Sequence, residues 1–276
     1  MRARLSQLGL NALLSGLAFL TLFPFLMMLL IAGKDRAQLQ TRFWGLPSPV
    51  RWDNFGRAAE LVAPFVVNSI IVSAAVTVLA LLVASLAAYA FTRIPFRGRG
   101  AAWSLVIGLL LVPGVLVLVP LFLRVRELGL FNSHTGIILP QVAGSLPFAI
   151  FLFRNFFDQL PEALFGSAEI DGANDWQVLL HVVLPLSKPI VSTVGVLVLL
   201  SSWNNYVWPL VVTRDEALRT IPLGLVFLYT DLNLSNFPNP GLEMAAYAMG
   251  AAPIVVIFFL ATRTFLQGIT SGAIKD

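Results

Sequence analysis

The sequence contains no cysteine and few charged residues. Without cysteine, disulfides, zinc–thiolate sites, iron–sulfur clusters and cysteine nucleophiles are excluded. Charged residues make up 12% of the 276, against about 25% in a typical soluble domain. Hydrophobic residues make up 58%, and the mean hydropathy is +0.84. A chain with so few charged residues does not have enough of them to form a surface exposed to water, so the composition predicts a membrane protein. Its net charge of +4 is too small to indicate a nucleic-acid partner.

Stretches without charge predict where the chain crosses the membrane, because an ionised side chain is costly at the bilayer centre. Six stretches of 19 to 32 uncharged residues occur, and the next longest has only 12. A helix needs about 20 apolar residues to cross about 30 Å of hydrocarbon. The sequence therefore predicts an all-α integral membrane protein with six transmembrane helices, near 10–32, 67–91, 102–123, 136–157, 189–212 and 246–266.

The orientation follows from the short loops. An even number of spans places both termini on the same side, and the 92–101 loop carries Arg93, Arg97 and Arg99 without an acid. Short basic loops stay in the cytoplasm, so we expect cytoplasmic N- and C-termini. The first apolar run could instead be a signal peptide, but it is longer than the usual signal core, which favours a retained helix.

Several kinds of reactive site are missing from the sequence. None of Lys34, Lys188 and Lys275 stands in the Gly-Lys-Ser/Thr end of a P-loop, so the chain has no such ATP site. The histidines, His134 and His181, lack partners at metal-ligand spacing. No acid lies inside a predicted span, although ion-driven carriers generally use one. We expect no enzyme activity, no cofactor and no metal site, and an energy source in a partner subunit.

The segment 158–188, between the fourth and fifth spans, contains signals for two short helices. Pro161 suits the first position of one helix, and Gly172 suits a left-handed stop at its end. Asn174 can cap a second helix, with Gln177 in the capping-box position three residues later. Pro185 then interrupts that helix before the fifth span. Such a bend with apolar faces is suited to docking on another protein, although an ordinary interfacial helix pair would carry the same signals.

Within this segment, Asp171-Gly172-Ala173 is followed by Val182-x-Leu184-Pro185, in which Val182 stands ten positions after Gly172. This pattern resembles the "EAA" loop of ABC importer permeases. The wider resemblance, from about residue 64 to the C-terminus, is to the shorter, second permease of maltose-type and glycerol-phosphate-type systems. The other matching segments are Asn68-Ser69, Ala87-Ala88-Tyr89-Ala90, Phe96-Arg97-Gly98-Arg99, Leu139-Pro140, Leu160-Pro161, Ser202-Trp203-Asn204, Trp208-Pro209-Leu210 and the tail from Gly268 to Lys275.

The resemblance implies that the segment 158–188 docks on an ATPase subunit and couples ATP hydrolysis to transport. One position departs from the motif, because Gly166 stands where the family has glutamate, and glycine weakens a helix by about 1 kcal/mol relative to alanine. This departure predicts that the joint with the ATPase depends on apolar packing and on the other acids of the segment. The residues implied in coupling are Gly166, Ser167, Ala168, Glu169, Asp171, Gly172, Ala173, Leu184 and Pro185.

The resemblance also implies a type I importer fold in a bacterial or archaeal inner membrane. The implied partners are a homologous permease forming a heterodimer, two ATP-binding subunits, an extracytoplasmic solute-binding protein and membrane lipid, without nucleic acid. The implied organisation is an N-terminal helix and external loop over 1–66, then a five-helix core over 67–276. A sugar or oligosaccharide is the expected substrate. Alternatives are another solute (glycerol phosphate, an amino acid or a peptide) or, in a different class, a stand-alone channel or carrier.

A polar stretch inside the predicted fifth span suggests where a solute passes. Residues 201–206 read Ser-Ser-Trp-Asn-Asn-Tyr, and carboxamides beside aromatic rings suit sugars. A hydrogen-bonded helix contact or an interfacial aromatic belt would give the same pattern. The residues predicted for the substrate path are Trp203, Asn204, Asn205, Tyr206 and Asn68.

Overall fold

Every regular element among the described residues, 2–234 and 239–271, is helical in the computed structural model. A π-helical turn at Leu179–Val183 and a 3₁₀ turn at Glu216–Leu218 accompany the α-helices. In chain order the α-helices are α1 (Arg2–Ala32), α2 (Arg36–Thr41), α3 (Trp52–Arg93), α4 (Arg99–Leu110), α5 (Gly114–Glu127), α6 (His134–Phe157), α7 (Glu162–Ile170), α8 (Asp175–Val178), α9 (Leu184–Leu186), α10 (Lys188–Trp203), α11 (Val207–Val212), α12 (Ile221–Leu234) and α13 (Pro240–Ser271).

Four segments of the described chain are continuous helices long and apolar enough to cross a membrane: Gly9–Ala32, Trp52–Arg93, His134–Phe157 and Pro240–Phe259. Two further candidates are bent pairs: α4 with α5, at 104°, and the segment Asp175–Leu186 with α10, at 79°. The number of spans is six only if each bent pair counts as one. The multi-pass helical architecture is confirmed, whereas six continuous spans are not.

The predicted third span, 102–123, is wrong as a continuous helix, because the chain breaks between α4 and α5. Pro113 has no N–H to donate, and its ring disfavours helical backbone at the preceding residue, Val112. Pro113 has an extended ψ of 125° and stands as the N-cap of α5.

The predicted fifth span, 189–212, is also interrupted. Its first helix, α10, ends at Trp203, and α11 begins at Val207. The side-chain oxygen of Asn205 accepts a hydrogen bond from the Trp208 N–H at 3.2 Å. Asparagine offers the backbone this local alternative to a helical bond, which is why a polar stretch breaks an otherwise apolar helix.

The contacts divide the chain into two compact units. In the unit containing Val67–Leu223, α3 presents a small-residue face with a spacing of four: Val72, Val76, Ala80, Ala84 and Ala88. These residues form one buried cluster with side chains of α6 and α10. Small side chains permit close helix packing in membranes, where lipid gives no hydrophobic drive for helices to associate.

The other unit contains the chain up to Val66 together with Gly224–Pro253. Its core joins the end of α1 and the start of α3 to α13, through Ala32, Val62 and Leu242 among others. Lys34 is fully buried, and its ammonium donates to the carbonyls of Arg42 at 2.9 Å and Phe43 at 2.6 Å. Burial lowers the pKa of Lys34. Its two hydrogen bonds to main-chain carbonyls connect the end of α1 to the loop after α2.

Candidate functional site

The segment 158–188 forms two short helical stretches between α6 and α10. The first is α7, and its N-cap is Pro161, one position earlier than predicted. The second is the segment Asp175–Leu186, formed by α8, the π-helical turn and α9. We refer to 158–188 as the elbow segment.

Gly172 makes the turn between the two stretches. Its φ of +75° is left-handed, as predicted, and glycine adopts this conformation without Cβ strain. The Gly172 N–H donates to the Glu169 carbonyl at 3.0 Å, and the Ala173 N–H donates to the Ala168 carbonyl at 2.9 Å. These two bonds are the Schellman pattern, which satisfies carbonyls left open at a helix end.

The second stretch begins with the predicted capping box. The Asn174 side chain accepts from the Gln177 N–H at 3.0 Å, and the Gln177 side chain accepts from the Asn174 N–H at 2.8 Å. The π-helical turn precedes Pro185, whose ring cannot tolerate a regular α-helical carbonyl one turn earlier. The chain then bends by 79° into α10 at buried Ser187. Both ends of the stretch are therefore fixed by local sequence.

The elbow segment has an inward and an outward face. Phe165 and Ala168 of α7 are buried, whereas Ile170 is 89% exposed and Trp176 is 61% exposed. The predicted coupling residues Gly166, Ser167, Glu169, Asp171, Gly172 and Pro185 are exposed, while Ala173 and Leu184 are partly buried. Large exposed apolar side chains beside acids are typical of a surface that another protein covers.

Two side chains of α3, which the sequence does not single out for this role, hold the elbow segment. The Tyr89 hydroxyl donates to Asp175 Oδ1 at 3.0 Å. The guanidinium of Arg93 donates through Nη1 to both carboxylate oxygens of Glu162 at 2.8 Å, and its carbon lies 3.4 Å from the centre of the Phe165 ring. Residues so far apart in sequence carry no pairing signal in a single chain.

A separate cavity of about 450 Å³ lies within the same unit, among α3, α5, α6, α10 and α11. Apolar side chains and Trp208 make up most of its wall. Its polar lining consists of Gln141, Ser145, Ser201, Ser202 and Asn205.

Two hydrogen bonds order this polar lining. The Ser202 hydroxyl donates to Gln141 Oε1 at 3.0 Å, and the Gln141 amide donates to the Ile137 carbonyl at 3.1 Å. Sequence reasoning missed Gln141 and Ser145, although their spacing of four on α6 places them on one face of the helix. The Trp208 ring N–H donates to the Gly136 carbonyl at 3.0 Å, which fixes the indole in the wall.

Of the residues predicted for a substrate path, Asn205 lines this cavity. Asn204 is exposed and donates to the Leu200 carbonyl of its own helix, Trp203 is buried, and Tyr206 is half-buried. Asn68 is not brought to the cavity. Its amide donates to the carbonyls of Ala217 at 2.6 Å and Arg219 at 3.1 Å, which ties α3 to the 213–220 loop.

The sequence matches, over residues 78–271, the family described as the binding-protein-dependent transport system inner membrane component. The chain belongs to this family. The matched range contains the elbow segment and all the residues that line the cavity except Val76.

Individual relatives agree with the assignment. The chain is 34% identical, over 94% of its length and 93% of the relative's, to the arabinooligosaccharides transport system permease protein AraQ of Halalkalibacterium halodurans. It is 32% identical, over 94% and 93%, to the trehalose/maltose transport system permease protein MalG of Thermococcus litoralis. A solved bacterial ABC transporter involved in alginate import matches with a TM-score of 0.83 and 26% identity, over 95% of this chain and 97% of that one.

The protein is thus an inner-membrane permease component of an ABC import system, and the resemblance seen in the sequence is confirmed. Permeases of this family are not themselves catalytic.

Proposed function

We propose that this permease forms half of the translocation path for a sugar or oligosaccharide. The relatives described above are named for arabinooligosaccharides and for trehalose and maltose, and the solved transporter for alginate, all of them carbohydrates. The cavity supplies amide and hydroxyl groups for sugar hydroxyls, and the Trp208 ring for apolar sugar faces. That combination of lining groups is the observation that carries the proposal.

The proposed assembly contains a second related permease, two ATP-binding subunits and an extracytoplasmic solute-binding protein. ATP hydrolysis takes place in the ATP-binding subunits, and both termini of this chain face the cytoplasm. The N-terminal helix and its external loop, 1–66, precede a core over 67–276. In this arrangement the elbow segment faces the ATP-binding subunits.

The elbow segment is the proposed coupling element. Ile170 and Trp176 provide its exposed apolar contact, and Glu169 and Asp171 provide negative charge. Glu162 lies one helical turn before Gly166 but is engaged by Arg93, so it does not replace the glutamate that the family motif has at Gly166. The proposed joint therefore depends on apolar packing and on the other two acids.

Substitutions at the turn test this coupling role. Gly172→Pro forces φ near −65° where the chain needs +75° and removes a hydrogen-bonded N–H. Asp171→Arg reverses the charge on the exposed face, while a cation at the C-terminal end of α7 suits the helix dipole. We expect both variants to insert in the membrane and to abolish solute uptake and transport-coupled ATP hydrolysis in the assembled importer.

Gly166→Ala is the matched control within the same segment. Gly166 is helical, and a Cβ there meets no atom within 4 Å, so alanine strengthens α7 by about 1 kcal/mol. We expect uptake at the wild-type rate or above. Normal uptake by Gly172→Pro and Asp171→Arg would remove the elbow segment from the mechanism.

A further inference from the structure

Two contacts on one face of α3 hold both helical stretches of the elbow segment. Tyr89 and Arg93 are four residues apart, so they lie one above the other on α3. Their partners, Asp175 and Glu162, are the first residues of α8 and α7. An acid in the first turn suits the helix dipole, so each short helix presents its carboxylate where the dipole favours it.

The same helix holds a loop at its other end. Asn68 donates to the carbonyls of Ala217 and Arg219, and the Ser69 hydroxyl oxygen accepts from the Ile221 N–H at 2.8 Å. From Asn68 to Arg93, α3 extends about 37 Å at 1.5 Å per residue, enough to cross a bilayer. This stretch contains neither proline nor glycine, the residues at which helices usually bend.

The chemistry of these contacts indicates positioning rather than stability. The Arg93 side chain is 17% exposed, but that of Glu162 is 82% exposed, and an exposed ion pair contributes little to folding. The Phe165 ring nevertheless fixes the plane of the guanidinium, since cations favour the face of an aromatic ring. Phe165 and Ala168 stay in the buried apolar cluster that also contains Ala88 of α3. Removing the polar contacts therefore leaves the fold intact, and it removes the contacts that fix the direction of the elbow segment relative to α3.

We propose that Tyr89 and Arg93 are positioning residues that make the elbow segment and the 213–220 loop move as one rigid body through α3. The proposal depends on the proposed coupling role of the elbow segment. It adds the route by which a displacement at the ATPase-facing end reaches the opposite end of the permease.

Paired spin labels test this route, because the chain has no cysteine of its own. Labels at Ala163→Cys and Glu216→Cys mark the two ends in the importer assembled with cysteine-free partner subunits. Distances are measured without nucleotide and with Mg-ATP and vanadate. For the wild-type background we expect the same narrow distribution in both states. In the Tyr89→Phe/Arg93→Gln variant we expect the mean distance to shift between states, because apolar packing alone lets the elbow segment tilt relative to α3.

Two further variants separate positioning from general damage. Arg124→Gln removes an exposed ion pair with Glu127, 2.7 Å long and remote from the elbow segment, and should behave as wild type. Arg93→Lys with Tyr89 intact keeps the cation and should restore the unchanged distance.

The outcomes are distinct. A distance that shifts in the wild type, or stays constant in the double variant, would overturn the rigid-body route while leaving the coupling role in place. If the Ala163→Cys label has the same mobility with and without the ATPase subunits, the elbow segment does not dock, and both proposals fail.

Discussion

At the scale of single residues, two glycines of one short helix and its turn have opposite requirements. Gly172 has a φ of +75° and closes the Schellman turn, whereas Gly166 is helical with open space where a Cβ would be. The requirement at Gly172 was predictable, because a glycine before a capping asparagine at 174 indicates a left-handed helix stop. The open space around Gly166 could not be predicted, because it depends on which side chains surround the helix.

Asp35 illustrates how one carboxylate organises the loop after α1. Its Oδ1 accepts from the Gln38 N–H at 2.9 Å, capping α2, and its Oδ2 accepts from Nη2 of Arg51 at 2.6 Å. We expect Asp35→Ala to increase amide hydrogen exchange across 36–41, because it loses the cap and the ion pair. Asp35→Asn keeps a side chain that caps helices well and loses only the ion pair with Arg51, so amide exchange across 36–41 should rise less. Equal exchange in both variants would contradict the capping role.

The same carboxylate gives the loop a pH dependence. The hydrogen bond from the Gln38 N–H, and then that from Arg51, lower the pKa of Asp35 below its usual value of about 3.9. A lowered folded-state pKa stabilises the loop above the unfolded pKa, and that stabilisation is lost as pH falls through the folded value. We expect the protection of the 36–41 amides, measured relative to their intrinsic exchange rates, to fall below about pH 4 in wild type. In Asp35→Asn this pH-dependent loss of protection should be absent.

At the scale of elements, the breaks in the helices decide which side chains line the cavity. The break after α10 places Asn205 in the cavity and leaves Asn204 outside it. The break before α5 follows from Pro113, a signal present in the sequence. The contacts of Tyr89, Arg93 and Asn68 were not predictable, because each joins residues more than sixty positions apart and depends on how the helices pack.

The two neighbouring asparagines offer a matched test of the cavity. Asn205→Ala removes a polar group from the cavity lining. We expect the KM for uptake to rise about fivefold, the effect of losing one hydrogen bond that contributes about 1 kcal/mol to solute binding. Asn204→Ala should leave KM unchanged. Asn205→Asp retains the oxygen that accepts from Trp208 N–H, which separates loss of the cap from loss of the solute contact. Equal effects at 204 and 205 would contradict the assignment.

At the scale of the whole molecule, the unit containing Val67–Leu223 places its loops at two ends. Arg93, at the start of the basic 92–101 loop, contacts the elbow segment. At the other end of α3, Asn68 contacts the 213–220 loop, and Asn132 accepts from the N–H groups of Arg214 and Asp215. The elbow segment and the basic loop therefore share an end, which supports the proposed cytoplasmic placement of both.

The central claim is that the elbow segment faces the cytoplasm and docks on an ATP-binding subunit. Because the chain lacks cysteine, Ile170→Cys provides one accessible thiol on the exposed face. A membrane-impermeant maleimide should modify it in inside-out vesicles, Glu216→Cys should be modified in right-side-out vesicles, and the assembled ATPase should protect position 170. Modification of position 170 from the outside, or the same rate with and without the ATPase, would contradict the account.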